Sequence, residues 1–183
     1  MRPIRRLVPP LAVLLLAACT TEQGAPEQPS PFADCATLGG ATAAADLPDV
    51  SLPCFTGGSE VELTAIGGPA VINLWGSWCG PCREELPVVQ ELADATAGKL
   101  KVLGVNTRDD RAAGASFAAD HHITMPTLYD PDQKLIARLG TMTVPTTVFL
   151  TADGKRYVYT GAPLDKPALG ALVRTHTGVT VAG

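Results

Sequence analysis

The segment Ala70-Val71-Ile72-Asn73-Leu74-Trp75-Gly76-Ser77-Trp78-Cys79-Gly80-Pro81-Cys82 runs from a short apolar stretch straight into two cysteines. The apolar part reads as a buried strand, being short, largely aliphatic and closed by Gly76-Ser77. Residues 84–97 read as a helix, with Leu86, Val89, Leu92 and Ala93 spaced by three and four. The thiols therefore fall where a strand hands over to a helix. Unpaired N–H groups and the positive dipole end of a helix stabilise an anion, so Cys79 is expected to ionise more readily than an ordinary thiol. Cys82 lies one turn on and can close a small disulfide ring with it. The pair reads as a thiol–disulfide exchange site.

The pair admits three other uses. A purely structural disulfide fits poorly with the Gly80-Pro81 spacer and the strand-to-helix placement. A zinc site needs a second pair of ligands. His121 and His122 are adjacent and diverge on any regular element, and Cys35 and Cys54 are not a C-x-x-C pair, so no metal is expected. A single-thiol peroxidase needs an activating environment around one cysteine, and the P-x-x-x-[TS]-x-x-C pattern is absent here.

The start of the chain reads as a targeting segment. Arg2, Arg5 and Arg6 precede the apolar run 7–16, which is shorter than the about 20 residues a spanning helix needs. Leu16-Ala17-Ala18-Cys19 resembles a bacterial lipobox, in which the cysteine is lipidated and becomes the first residue. Residues 1–18 are then a lipoprotein signal peptide; the rival reading is an ordinary cleaved signal with an incidental cysteine. Parity favours the first. Five cysteines leave one over in an exported protein, and a lipidated Cys19 removes it. Cys79 and Cys82 take each other, and Cys35 with Cys54 is left as a second pair that an oxidising compartment preserves. That second pair is read as structural, with a relay of electrons to Cys79–Cys82 as the alternative. Loss of three arginines and no acids moves the formal charge from −4 to −7. No basic face suggests nucleic acid; lipid and tether, not a basic amphipathic surface, supply the membrane attachment.

Residues 19–34 are rich in Pro, Gln, Glu and Ser and read as a flexible tether. The remainder, 35–183, suffices for one core. Residues 49–55 and 59–63 read as a hairpin across Thr56-Gly57-Gly58. Residues 101–106 read as a second buried strand, 111–121 as a helix, 127–129 as a short strand and 132–139 as a helix. Residues 146–150 and 155–159 read as a hairpin across Asp153-Gly154, and 167–177 as a terminal helix opened by Asp165. Pro87 removes a hydrogen bond inside the long helix and is expected to kink it. Alternating strands and helices imply an α/β sandwich with a mixed sheet.

Trp78-Cys79-Gly80-Pro81-Cys82 after a buried strand, together with Val144-Pro145-Thr146 before a hairpin and terminal helix, resembles the thioredoxin superfamily. The N-terminal hairpin and the segment 112–139 resemble the TlpA/ResA/CcmG group of membrane-attached, extracytoplasmic thiol–disulfide oxidoreductases. Arg83, Glu85 and Pro87 match that group's C-x-x-C-R-x-E-x-P pattern, and the resemblance covers 47–177. It implies a thioredoxin-like fold: a mixed β-sheet flanked by helices, with an N-terminal β-hairpin extension. It implies that Pro145 is a cis-proline facing the disulfide and that the Val144 backbone pairs with an incoming peptide. Met125-Pro126-Thr127 competes for that role but lacks the following hairpin and helix. Thioredoxins carry a buried Asp six residues before the first cysteine; Asn73 stands there in this chain. Glu85, three residues after Cys82, is the replacement candidate for proton transfer, the rival reading being a surface carboxylate.

The implied activity is dithiol–disulfide exchange with Cys79 as nucleophile and Cys82 as resolving thiol. Trp75 and Trp78 are read as an apolar rim or as plain packing residues, Gly80 as room for a partner's backbone, and Pro81 as a restraint in the first helical turn. Gly-Pro is the thioredoxin dipeptide, so a reductant is favoured over an oxidant, and the cytochrome c maturation type is included. No cofactor is expected. The expected partners are protein disulfide or dithiol clients and a membrane thiol-redox donor or acceptor, acting on a monomer lipid-anchored outside the cytoplasm. The contrasting readings are a thioredoxin-fold lipoprotein that only binds, and a thiol peroxidase.

Overall fold

The computed structural model describes residues 29–39 and 46–181. Cys19 and the expected signal segment lie outside them. The sheet is organised by the apolar run 70–75, which is buried on both faces, as a strand covered on both sides must be. In chain order the elements are β1 (Ser51–Pro53), β2 (Glu60–Glu62), β3 (Ala70–Trp75), α1 (Gly80–Ala95), β4 (Lys101–Thr107), α2 (Arg111–Asp120), β5 (Thr127–Asp130), α3 (Lys134–Arg138), β6 (Thr146–Leu150), β7 (Arg156–Tyr159) and α4 (Lys166–Thr177). β1 and β2 form an antiparallel hairpin, and the main sheet has the order β5-β4-β3-β6-β7. β3 is parallel to β4 and antiparallel to β6. This is the mixed sheet with an N-terminal hairpin that the sequence implies.

Period-two alternation along β3 sorts its side chains between two layers. Val71 and Trp75 pack with Leu86 and Val89 of α1, Phe117 of α2 and Leu169 and Val173 of α4. Ile72 and Leu74 pack on the other side, with Leu52 and Val61 of the hairpin and Leu135 and Ile136 of α3. Asn73 shares the α1 side, where its amide meets the Glu85 carboxyl and the Thr147 hydroxyl within an otherwise largely apolar layer.

The structure departs from the sequence reading at several points. α1 begins at Gly80, four residues early, because Cys79 is its N-cap and Pro81 suits the first turn, where no N–H is required. Where a kink is expected at Pro87, the same helix continues unbroken through that residue. α3 is shorter than 132–139, being bounded by left-handed backbone at Gln133 and Gly140. The packed domain also starts before Cys35. Phe32 is buried with its ring 4.7 Å from Phe55, and Ala33 N–H donates to Thr124 O at 2.8 Å. Phe32 thus belongs to the core and pins residues 30–34 against the domain, since an aromatic side chain gains more from burial than a polar tether residue can. Cys35 and Cys54 are bonded, both sulfurs within the layer that holds β1 and α3.

Candidate active site

β3 ends at Trp75, and three residues carry the chain to Cys79, the N-cap of α1. Cys79 and Cys82 are joined by a disulfide, and the Cys82 N–H donates to Cys79 Sγ at 3.2 Å. The first sulfur thus occupies the anion-favouring end of a sixteen-residue helix. Cys79 is 5% exposed and Cys82 1%, so Cys79 is the more accessible of the two. Trp78, the residue before Cys79, is 48% exposed. Trp75 is fully buried against Phe32 and Phe117, so of the two tryptophans only Trp78 borders the site. Gly80 and Pro81 are exposed on the first helical turn.

The loop before β6 faces the disulfide. Its Val144–Pro145 peptide bond is cis, and the Val144 carbonyl oxygen lies 3.6 Å from Cys79 Sγ. Met125–Pro126 is not among the cis bonds of the described residues, and that segment is occupied elsewhere. Gln90 Oε1 of α1 accepts from the N–H groups of Thr124 and Met125 at 2.8 and 2.9 Å.

Glu85 lies one turn beyond Cys82 and is 2% exposed, not a surface carboxylate. Its Oε1 accepts from Asn73 Nδ2 at 2.7 Å and from the Thr147 hydroxyl at 3.0 Å. Its Oε2 accepts from the Leu164 N–H at 2.9 Å. Burial pushes the carboxyl above its usual range, and the Leu164, Thr147 and Asn73 donors pull against that shift without cancelling it. Such a group can hold a proton nearer neutrality than a surface carboxylate can.

Sequence reasoning missed the residues that anchor the loop 76–78. Asp109, just past β4, accepts from the Ser77 N–H and hydroxyl at 2.6 and 2.7 Å, and Trp78 Nε1 donates to the Arg108 carbonyl at 2.8 Å. Their signal is the parallel register that sets Asn106 opposite Trp75, which brings the two strand exits together. No cluster of three or more metal-binding side chains occurs among the described residues. No helix of those residues is long and apolar enough to cross a membrane.

A C-x-x-C disulfide capping the helix after the central strand, faced by the backbone of a cis-proline loop, defines a thioredoxin-like dithiol site. The AhpC/TSA family profile matches residues 43–156, and the chain belongs to that family within the thioredoxin-like fold. It is 31% identical over 150 residues to the thiol:disulfide interchange protein DsbE of Pseudomonas fluorescens biotype C, across 81% of this chain and 79% of that protein. It is 30% identical over 100 residues to the thiol-disulfide oxidoreductase ResA of Bacillus anthracis, spanning 54% of this chain and 58% of the relative. Among solved structures, a DsbF homologue from Corynebacterium diphtheriae superposes with a TM-score of 0.63 at 29% identity, covering 72% of this chain and 87% of that one.

Proposed function

We propose that the protein is an extracytoplasmic thiol–disulfide oxidoreductase of the DsbE/ResA type, lipid-anchored through Cys19, with Cys79 as nucleophile and Cys82 as resolving thiol. The observation that carries this reading is the Cys79–Cys82 disulfide at the N-terminus of α1, with the Val144 carbonyl 3.6 Å from the outer sulfur. In the reducing direction, the Cys79 thiolate attacks a client disulfide, forms a mixed disulfide and expels one client thiolate. Glu85 accepts the Cys82 proton. The Cys82 thiolate then attacks Cys79 Sγ, closes the intramolecular disulfide and expels the second client sulfur. The site is re-reduced by two electrons from a membrane dithiol donor. The backbone of Val144 pairs with the client in the manner of strand addition, with Pro145, Trp78, Gly80 and Pro81 lining its path.

The Gly80-Pro81 spacer supports a reductant over an oxidant. Thioredoxin, with the same dipeptide, lies at about −270 mV and DsbA at about −120 mV. Clients of a reductant here include the haem-attachment thiols of c-type cytochromes. The Cys35–Cys54 bond stabilises the fold and takes no part in turnover. The test is a Cys82→Ser variant expressed in the source cell, followed by mass spectrometry of mixed disulfides on Cys79 and of the Cys19 peptide. Client adducts and a diacylated Cys19 support the reading; absence of adducts, with a wild-type enzyme that leaves insulin disulfides intact, overturns it. Equilibration in glutathione buffers then fixes the direction: a potential above about −150 mV makes the protein an oxidant.

A further inference from the structure

The turn after β4 grips the loop that leads into Cys79. Asp109 Oδ2 accepts from the Ser77 N–H at 2.6 Å and from Asn106 Nδ2 at 2.7 Å, and Oδ1 accepts from the Ser77 hydroxyl at 2.7 Å. Arg108 has a φ of 48°, a left-handed conformation that side-chain-bearing residues seldom adopt. In that conformation its carbonyl accepts from Trp78 Nε1 at 2.8 Å, and its guanidinium lies 4.4 Å from the centre of the indole ring. The turn is itself tied to β5: Arg108 N–H donates to Asp130 O at 3.1 Å, and the Tyr129 hydroxyl donates to Asp109 O at 3.0 Å. Gly76 completes the fit, because a Cβ there would lie 2.5 Å from Trp78 Nε1.

These bonds hold Trp78 at its edge and on one face, yet nearly half of its surface stays open. Packing in the free protein does not require an exposed indole to be fixed this firmly. A fixed apolar surface does lower the ordering cost of docking a partner, and this one belongs to the residue next in the chain to the nucleophilic Cys79.

We propose that Asp109 is a positioning residue for client choice: through Ser77 it holds Trp78 as a preformed apolar wall beside Cys79, which favours disulfides whose cysteine is flanked by an apolar side chain. The proposal rests on the exchange reaction above and names the client class for it. A small disulfide reaches Cys79 without touching the wall, and a peptide with Leu next to its cysteine rests on it.

The test uses the full reduced chain and three disulfides: 2-hydroxyethyl disulfide and two short peptide disulfides that differ only in Leu or Ser beside the cysteine. Wild type is expected to favour the Leu peptide in kcat/KM by about tenfold, the lower end of apolar discrimination. Asp109→Ala is expected to bring that preference below about twofold while the rate on 2-hydroxyethyl disulfide changes by less than about twofold. Asp109→Asn keeps an acceptor for the Ser77 N–H and is expected to restore most of the preference. An Asp109→Ala enzyme that keeps the preference, or that slows equally on all three disulfides, overturns the proposal. Should Asp109→Ala fail to fold, Asp109→Ser decides, since its hydroxyl is polar but too short to make both Ser77 bonds: an undiminished preference overturns the proposal and a reduced one supports it. A wild type inactive on every disulfide defeats the exchange reading itself, whereas an active wild type with no preference defeats only this proposal.

Discussion

Replacing Glu85 by glutamine separates its capacity to take a proton from its place in the core. The glutamine carbonyl can still accept from Asn73 Nδ2 and the Thr147 hydroxyl, but its NH2 then confronts the Leu164 N–H, donor against donor. One such buried mismatch costs about 1–3 kcal/mol, whereas alanine leaves three donors unsatisfied and costs more, so glutamine is the cleaner variant. The kinetic effect follows from ionisation. A thiol of ordinary pKa, about 8.5, is roughly 3% thiolate at pH 7, so a base that takes its proton can speed its attack by up to about thirtyfold. The assay mixes reduced enzyme with Ellman's disulfide. The first thionitrobenzoate anion reports attack by Cys79, and the second reports attack by Cys82 on the mixed disulfide. Glu85→Gln is expected to leave the first phase within about twofold and to slow the second by roughly ten- to thirtyfold at pH 7. The deficit is expected to vanish near pH 10, where the thiol ionises unaided. A second phase at wild-type speed at pH 7 refutes the proton-transfer argument. So does a deficit that persists undiminished at pH 10, since that would mark a structural defect.

The same carboxyl gives stability a definite pH dependence. Its folded pKa lies above the ordinary value of 4.5, so the folded chain binds more protons there than the unfolded one. Stability is therefore expected to fall as pH rises from about 4.5 through the folded value, and a series of urea midpoints should lose that component of the slope in Glu85→Gln. The Cys35–Cys54 bond closes a segment of 19 residues, worth about 3 kcal/mol in the chain-entropy form. The double alanine variant should lose that amount in guanidinium denaturation and keep its exchange rate; a lost rate would revive the electron relay. Phe32→Ala should cost about 3–5 kcal/mol as a buried aromatic truncation. A loss under about 0.5 kcal/mol would return residues 30–34 to the tether.

What the sequence made legible was short-range. β3, the hairpin across Asp153-Gly154, the Asp165 cap and the C-x-x-C pair each announce themselves within a few residues, because strand period, turn chemistry and capping are local physics. Residues that act through distant partners stayed hidden. Asp109 lies 32 positions from Ser77, and Phe32 reaches the core only because Phe55 and Trp75 wait there. Trp75 could have been placed from the alternation alone, since it shares a face with Val71 while Trp78 lies beyond the end of the strand.

Asn73 shows why such gaps matter for reading a departure from a family pattern. Seen alone, an amide where thioredoxins keep an acid looks like the loss of a proton carrier. Position 73, however, points from β3 at α1, and the residue opposite it there is Glu85, 2.7 Å from the amide nitrogen. A carboxylate at both positions would bury two like charges in one apolar layer, where each would oppose ionisation of the other. An amide on the strand avoids that, supplies a donor to the helix carboxyl and leaves one titrating group of the two positions. Asn73→Asp should then raise the Glu85 pKa further, and an NMR titration of the Glu85 carboxyl that finds it unmoved from wild type refutes this argument.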